Sequence, residues 1–195
     1  LNDLSARWGR YLDVDGDGIP YRTIPGTHPE KGAYFTRGSS HDEYAGYTED
    51  GEVYARGMQR LLVKWDTAKT LVPKAEISGH DCQIGVVYFG TSQYSTQEAL
   101  DQLRDQQTID SMRIKGFPFG EEVAAFMAAH DTVFLIEQNR DAQMKTLLVN
   151  ELGIEPGKIV PVLNIDGMPI TASFLVSEIQ THLDQLNTHA RPQEA

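Results

Sequence analysis

Five polar residues in a row, EQNRD from Glu137 to Asp141, start at the last residue of the apolar run TVFLIE and precede a helical pattern. Arg140 offers a planar fork that can take a phosphate or a carboxylate through two parallel hydrogen bonds. Asn139 tolerates the strained backbone that a strand-to-helix turn often needs. The same residues also have plainer uses: Asp141 can cap the following helix, and Glu137 can pair with Arg140 at the rim. Ligand contact and a structural or interface role both stand open.

Two further loops carry similar groups. GTSQYST, from Gly90, offers amides and hydroxyls to an anion at Gly90 and Thr91, but it lacks the glycine spacing of nucleotide-binding loops. KGFPFG places Lys115 beside two aromatic rings held apart by a proline, a pattern that suits a core plug or subunit contact as well as a ligand. The six histidines are scattered, and no HExxH or GxSxG pattern occurs. His41, Asp42 and Glu43 form a local acid-base cluster, yet adjacent side chains point apart. His130, ending an apolar face, suits a cap better than a base. Cys82 is the only cysteine, so the chain alone holds neither an internal disulfide nor an iron–sulfur or structural zinc site.

DVDGDG, from Asp13 to Gly18, looks like a calcium loop. Asp13, Asp15, Asp17 and Gly18 fill the first, third, fifth and sixth positions, but Ile24 stands where the bidentate glutamate belongs, and Pro20 interrupts the loop. The stretch reads as a glycine-rich turn leading into an arm.

These residues need elements to hold them. Residues 1–50 read as an irregular arm, the end of a preceding domain, because Gly, Asp, Tyr, Thr and Pro recur there without periodicity. Residues 51–79 hold a linking helix in which Tyr54, Met58, Leu61, Leu62, Trp65, Ala68 and Val72 form a stripe that needs a partner surface. Residues 80–188 alternate apolar runs with amphipathic helices. IGVVYF (84–89), Ser111 to Ile114, TVFLIE (132–137) and KIVPVLN (158–164) read as strands, with Pro161 marking an edge. Helices are expected after each: one opened by a capping box of Ser95 and Glu98, one over EEVAAFMAAH, one stopped by Gly153, and a last over about 173–187. Strands apolar on both faces and separated by helices imply an α/β fold, an open, mostly parallel sheet with helices on both faces. In such a sheet, ligands meet loops at the carboxyl ends of the strands, where GTSQ, KGFPFG, EQNRD and NIDG lie. Residues 189–195 read as a disordered tail.

The chain has 195 residues, with 17 basic against 28 acidic side chains and a net charge of −11. That surface repels phosphate backbones and argues against a nucleic-acid partner. No apolar run is long enough to span a membrane and no leader pattern opens the chain, so a soluble, cytoplasmic protein is expected. The start at Leu1 without a methionine suggests a processed product or a fragment, a trace that recombinant expression also leaves.

Taken together, DVDGDGIPYRTIPG, HPEKGAYFTRG, SHDEY with TED, MQRLLVKWDTAK, KGFPFGEEVAAFM and VFLIEQNRDAQMKTLL resemble the C-terminal part of the alpha subunit of 2-oxoacid:ferredoxin oxidoreductases, with the 2-oxoglutarate enzymes most similar. The resemblance runs from about Asp13 to Gln185. It implies a complex that decarboxylates a 2-oxoacid on thiamine diphosphate with magnesium, passes electrons through iron–sulfur clusters to ferredoxin, and forms acyl-coenzyme A. It implies a beta subunit as partner, a region 80–188 similar to the transketolase C-terminal domain that builds the assembly, and no activity in this chain by itself. Asn139 and Arg140 match the family segment after the strand and become the first choice for coenzyme A or cross-subunit contact. His41, Asp42 and Glu43 match the family's histidine–acid connection, although Tyr44-Ala45-Gly46 shifts the glycine that usually follows. A stand-alone anion or nucleotide binding module, a purely structural interaction fragment and a pyruvate-specific relative are the other readings.

Overall fold

The computed structural model describes residues 7–29, 32, 40–79 and 81–190, excepting the side chains of 186–190. Most of HPEKGAYFTRG, His80 and residues 191–195 of the expected tail lie outside the described residues. The chain divides into two compact units, Leu1–Leu71 and Val72–Ala195.

In the first unit, helix α1 (Gly51–Leu71) is opened by Asp50, whose carboxylate accepts the amides of Glu52 and Val53 at 2.8 and 3.3 Å. No residue of α1 is buried, and its apolar stripe stands exposed at Tyr54, Met58, Leu61, Leu62 and Trp65. The preceding arm has no regular element among the described residues beyond a single bridge between His41 and Tyr47. It is nonetheless tied to the helix. Arg60 donates to the Gly18 carbonyl at 2.8 Å, and Thr67 donates to the Asp17 carbonyl at 2.5 Å. Gly18 has φ +78°, and a Cβ there would collide with the backbone of Lys64 and Arg60, so only glycine lets the turn lie this close to α1.

The second unit is a five-stranded sheet in the order β1-β3-β2-β4-β5, made of β1 (Glu76–Ser78), β2 (Ile84–Phe89), β3 (Asp110–Ile114), β4 (Thr132–Glu137) and β5 (Ile159–Leu163). All pairings are parallel except β1 with β3, in which Ile77 faces Met112. Strand β1 is too short and polar for the period-two pattern to reveal. Pro161 does sit on an edge strand, β5, opposite Leu135.

Alternation along each strand divides the core into two layers. Val86, Tyr88, Phe134, Ile136 and Val162 pack with Ala99 and Leu103 of α2 (Gln93–Leu103) and with Leu175, Ile179 and Leu183 of α5 (Ala172–Ala190). Val87, Met112, Ile114, Val133, Leu135 and Ile159 pack on the other face. Their partners are Val123, Phe126 and Met127 of α3 (Glu121–Ala129) and Leu148 of α4 (Gln143–Leu152). The sheet is therefore open, mostly parallel and flanked by helices on both faces, as the alternation of elements leads one to expect. Burying each such side chain contributes about 1.5–3 kcal/mol, so these two layers hold the unit together.

Two expected caps are not made. A 3₁₀ turn, Gly90–Ser92, leads straight into α2, so Ser95 already lies inside the helix and donates instead to the Ile170 carbonyl at 2.7 Å. At α4 the residue before the helix is Ala142, with φ +49°, and its left-handed turn swings Asp141 away from the helix amides. Gly153, with φ +65°, ends α4 as expected and donates to the Val149 carbonyl. Helix α5 runs to Ala190, past the expected 187.

Candidate functional site

The carboxyl ends of β2, β4 and β5 open into a cleft of about 680 Å³. Thr91 and Ser95 line it from the β2 side, Gln138, Asn139 and Arg140 from the β4 side, and Asn164, Ile165 and Gly167 to Ile170 from the β5 side. Among the described lining residues, Arg140 alone carries a charge. Thr91, Asn139 and Arg140 thus come together as the sequence suggests, with Gly90 beside Thr91 at φ +59°, the left-handed turn by which β2 passes into its loop. Lys115 is not among these residues. It follows β3 and donates to Glu76 at 2.8 Å, next to Arg113 at 3.3 Å, and this pairing holds the Glu76 carboxyl below its usual range. Phe119 in the same loop is buried as a core plug, and Phe117 meets it edge-on at 5.0 Å.

The β4 loop is organised by a residue expected to do something else. Glu137 lies in the alternation of Val133 and Leu135, so its side chain points to the α4 face and cannot reach Arg140 at the rim. It is fully buried. One oxygen accepts from Asn139 at 2.7 Å and from the Met144 amide at 2.9 Å, and the other accepts from the Lys145 amide at 3.0 Å. A strand carboxylate thus supplies the cap that Asp141 does not. Asn139 completes the arrangement by accepting from the amides of Asp141 and Gln143. Both ends of the Asn139 amide are engaged within the loop. Arg140 is different: its side chain is 80% exposed and, among the described residues, its guanidinium pairs with the Asp141 carboxylate alone, at 2.7 Å from Nε and 3.3 Å from Nη2.

Gln138 is a cleft residue that sequence reasoning missed. It reaches Thr91 and Ser92 at 3.4 and 3.3 Å and accepts from the Ile170 amide at 3.4 Å, so one side chain joins three loops. Its position directly after a buried strand was the available signal. Ile165 and Met168, both strongly exposed, add an apolar rim to the polar floor.

The remaining candidates serve the fold. Asp13 accepts the amides of Gly16 and Gly18, Asp17 that of Ile19, and Asp15 the Tyr21 hydroxyl. Their carboxylates lie close enough to share a cation, yet each already closes the turn. Asp42 likewise accepts the amides of Tyr44 and Gly46, and His41 stacks on Tyr11 at 4.0 Å. Burial pushes the Cys82 thiol up, away from the reactive thiolate. His130 is 3% exposed; Nδ1 donates to the Phe126 carbonyl at 2.7 Å and Nε2 meets Asp110 at 3.2 Å, a buried pair at the amino ends of the strands.

No family model and no curated protein sequence matches the chain. Solved structures do. A 2-oxoglutarate:ferredoxin oxidoreductase from Magnetococcus marinus, solved with 2-oxoglutarate, coenzyme A and succinyl-CoA bound, overlaps 93% of this chain at 20% identity and a TM-score of 0.79. The overlap takes in 32% of that protein's chain, so this chain spans about a third of its length. A split-gene transketolase overlaps 57% of this chain and 41% of its own at 15% identity and a TM-score of 0.47. The alpha chain of a probable 2-oxoacid ferredoxin oxidoreductase from Thermoplasma acidophilum overlaps 57% of this chain and 97% of its own at 19% identity and a TM-score of 0.37. The first of these shows a shared fold with a segment of an oxidoreductase. Among the described residues no helix is long and apolar enough to cross a membrane.

Proposed function

We propose that this chain is the C-terminal part of the alpha subunit of a thiamine-dependent 2-oxoacid:ferredoxin oxidoreductase, acting on 2-oxoglutarate. In that role it serves assembly with the beta subunit and contacts coenzyme A through the cleft at the carboxyl edge of the sheet. The observation that carries the reading is the overlap of 93% of the chain with a 2-oxoglutarate:ferredoxin oxidoreductase. The resemblance of DVDGDG, KGFPFG and EQNRD to the family supports it independently.

Thiamine diphosphate, magnesium and iron–sulfur clusters belong to the rest of the complex in this reading. A single half-buried cysteine does not suit a cluster that takes several thiolates, and the Asp13, Asp15 and Asp17 carboxylates are engaged in their own turn. Ferredoxin is reached through the complex. The exposed stripe of α1, from Tyr54 to Trp65, is the surface offered for assembly. At the cleft, Arg140 meets a phosphate of coenzyme A, Asn139 fixes the loop that presents it, and Gly90 and Thr91 form the opposite wall. Lys115 acts from the neighbouring strand end, outside the cleft.

The test is Arg140→Ala in the assembled oxidoreductase. A raised KM for coenzyme A with intact assembly supports the reading. Unchanged coenzyme A affinity together with unchanged assembly removes Arg140 from it.

A further inference from the structure

Arg140 is the one charged group among the described residues lining the cleft, and it is already occupied by a carboxylate of its own chain. We propose that Asp141 is an internal competitor for the ligand of Arg140, one that must be displaced when an anion enters and that biases the cleft toward phosphate-bearing ligands over carboxylates. This rests on the reading of the cleft as an anion-contacting site.

Asp141 uses both oxygens, one on Nε and one on Nη2, and so covers the face of the guanidinium that a bidentate ligand would take. Its carboxylate is not needed to build the helix. The α4 amides of Met144 and Lys145 are held by Glu137, that of Gln143 by Asn139, and Asp141 contributes to the turn only through its own amide. Both partners are open to water, with 80% and 56% of their side chains exposed, and ion pairs so exposed contribute little. Opening the pair therefore costs little and leaves the loop in place. A ligand carboxylate would replace Asp141 like for like and gain almost nothing. A phosphate brings more charge and further acceptor oxygens to the same donors, and so displaces it with a net gain.

The experiment is calorimetric titration of the full chain with coenzyme A, and separately with succinate, for the wild type, Asp141→Asn, Arg140→Ala, the double variant and Asp166→Asn. Asp166 accepts the Met168 amide in the β5–α5 loop, a role asparagine keeps, so its variant removes the same charge without freeing Arg140. The expected result is coenzyme A binding about two- to fivefold tighter in Asp141→Asn. No such gain is expected in the Arg140→Ala background or in Asp166→Asn, and wild-type succinate binding should be weaker than that of coenzyme A. If Arg140→Ala weakens coenzyme A but Asp141→Asn changes nothing, or Asp166→Asn tightens it equally, the competitor role is overturned while the cleft reading stands. Wild-type succinate binding as tight as that of coenzyme A would overturn the phosphate bias. Absence of binding, or equal binding by wild type and Arg140→Ala, overturns both.

Discussion

The two ends of the sheet each carry an acid–base pair, and they are built to opposite ends. At the amino ends, His130 and Asp110 have side chains only 3% and 7% exposed, and every ring nitrogen of His130 has a partner. At the carboxyl ends, Arg140 and Asp141 are 80% and 56% exposed and sit on a loop already fixed by other residues. The first pair holds elements together; the second is held out by them. An ion pair near a strand end is therefore informative only when its burial is known, because the same chemistry is buried structure in one place and open to water in the other.

The largest effect expected from breaking this contrast is at Asp110. Asp110 is the buried partner of His130 Nε2 and also accepts the Cys82 amide at 3.3 Å, so Asp110→Ala leaves both without that partner. Chemical denaturation should show a loss of about 3 kcal/mol, the upper range for leaving buried hydrogen-bonding groups unmatched. A loss under about 0.5 kcal/mol, the scale of ordinary surface changes, would remove the distinction. Next is Glu137→Gln, which keeps the shape but exchanges a carboxylate acceptor for an amide at the start of α4. It should lose about 2 kcal/mol and, by displacing Asn139, weaken whatever Arg140 binds.

Arg140→Ala acts on the exposed pair instead. Stability should change by less than about 0.5 kcal/mol while coenzyme A binding falls, a split that thermal melting and calorimetry read separately. The smallest effect concerns Glu76, exposed but held below its usual pKa by hydrogen bonds from Lys115 and then Arg113. A lowered carboxylate stabilises the fold above its unfolded value and ceases to do so as pH falls through the folded value. Melting curves between neutral and acid pH should therefore show slightly less acid destabilisation in Glu76→Gln than in the wild type.

The sheet was legible because β2, β4 and β5 are apolar runs, Met112 and Ile114 alternate with polar residues along β3, and the helices carry long stripes. Strand β1 was not, since Glu76, Ile77 and Ser78 are stabilised by pairing with β3 rather than by their own pattern. The cleft was legible to the level of which loops meet, because strand direction alone brings GTSQ, EQNRD and NIDG to one edge. Roles within EQNRD were not. Proximity in sequence favoured a Glu137–Arg140 pair and an Asp141 cap, whereas strand alternation buries Glu137 and the left-handed Ala142 turns Asp141 back onto Arg140. In the same way DVDGDG has the acidic spacing of an ion site, but its carboxylates serve backbone amides and the Tyr21 hydroxyl in a turn tied to α1.

The role proposed for the chain is assembly within a 2-oxoacid:ferredoxin oxidoreductase. Size-exclusion chromatography of the chain mixed with the beta subunit tests it most directly. Co-elution in one peak of the combined mass is the predicted result, whereas two separate peaks, with both proteins folded, would contradict it.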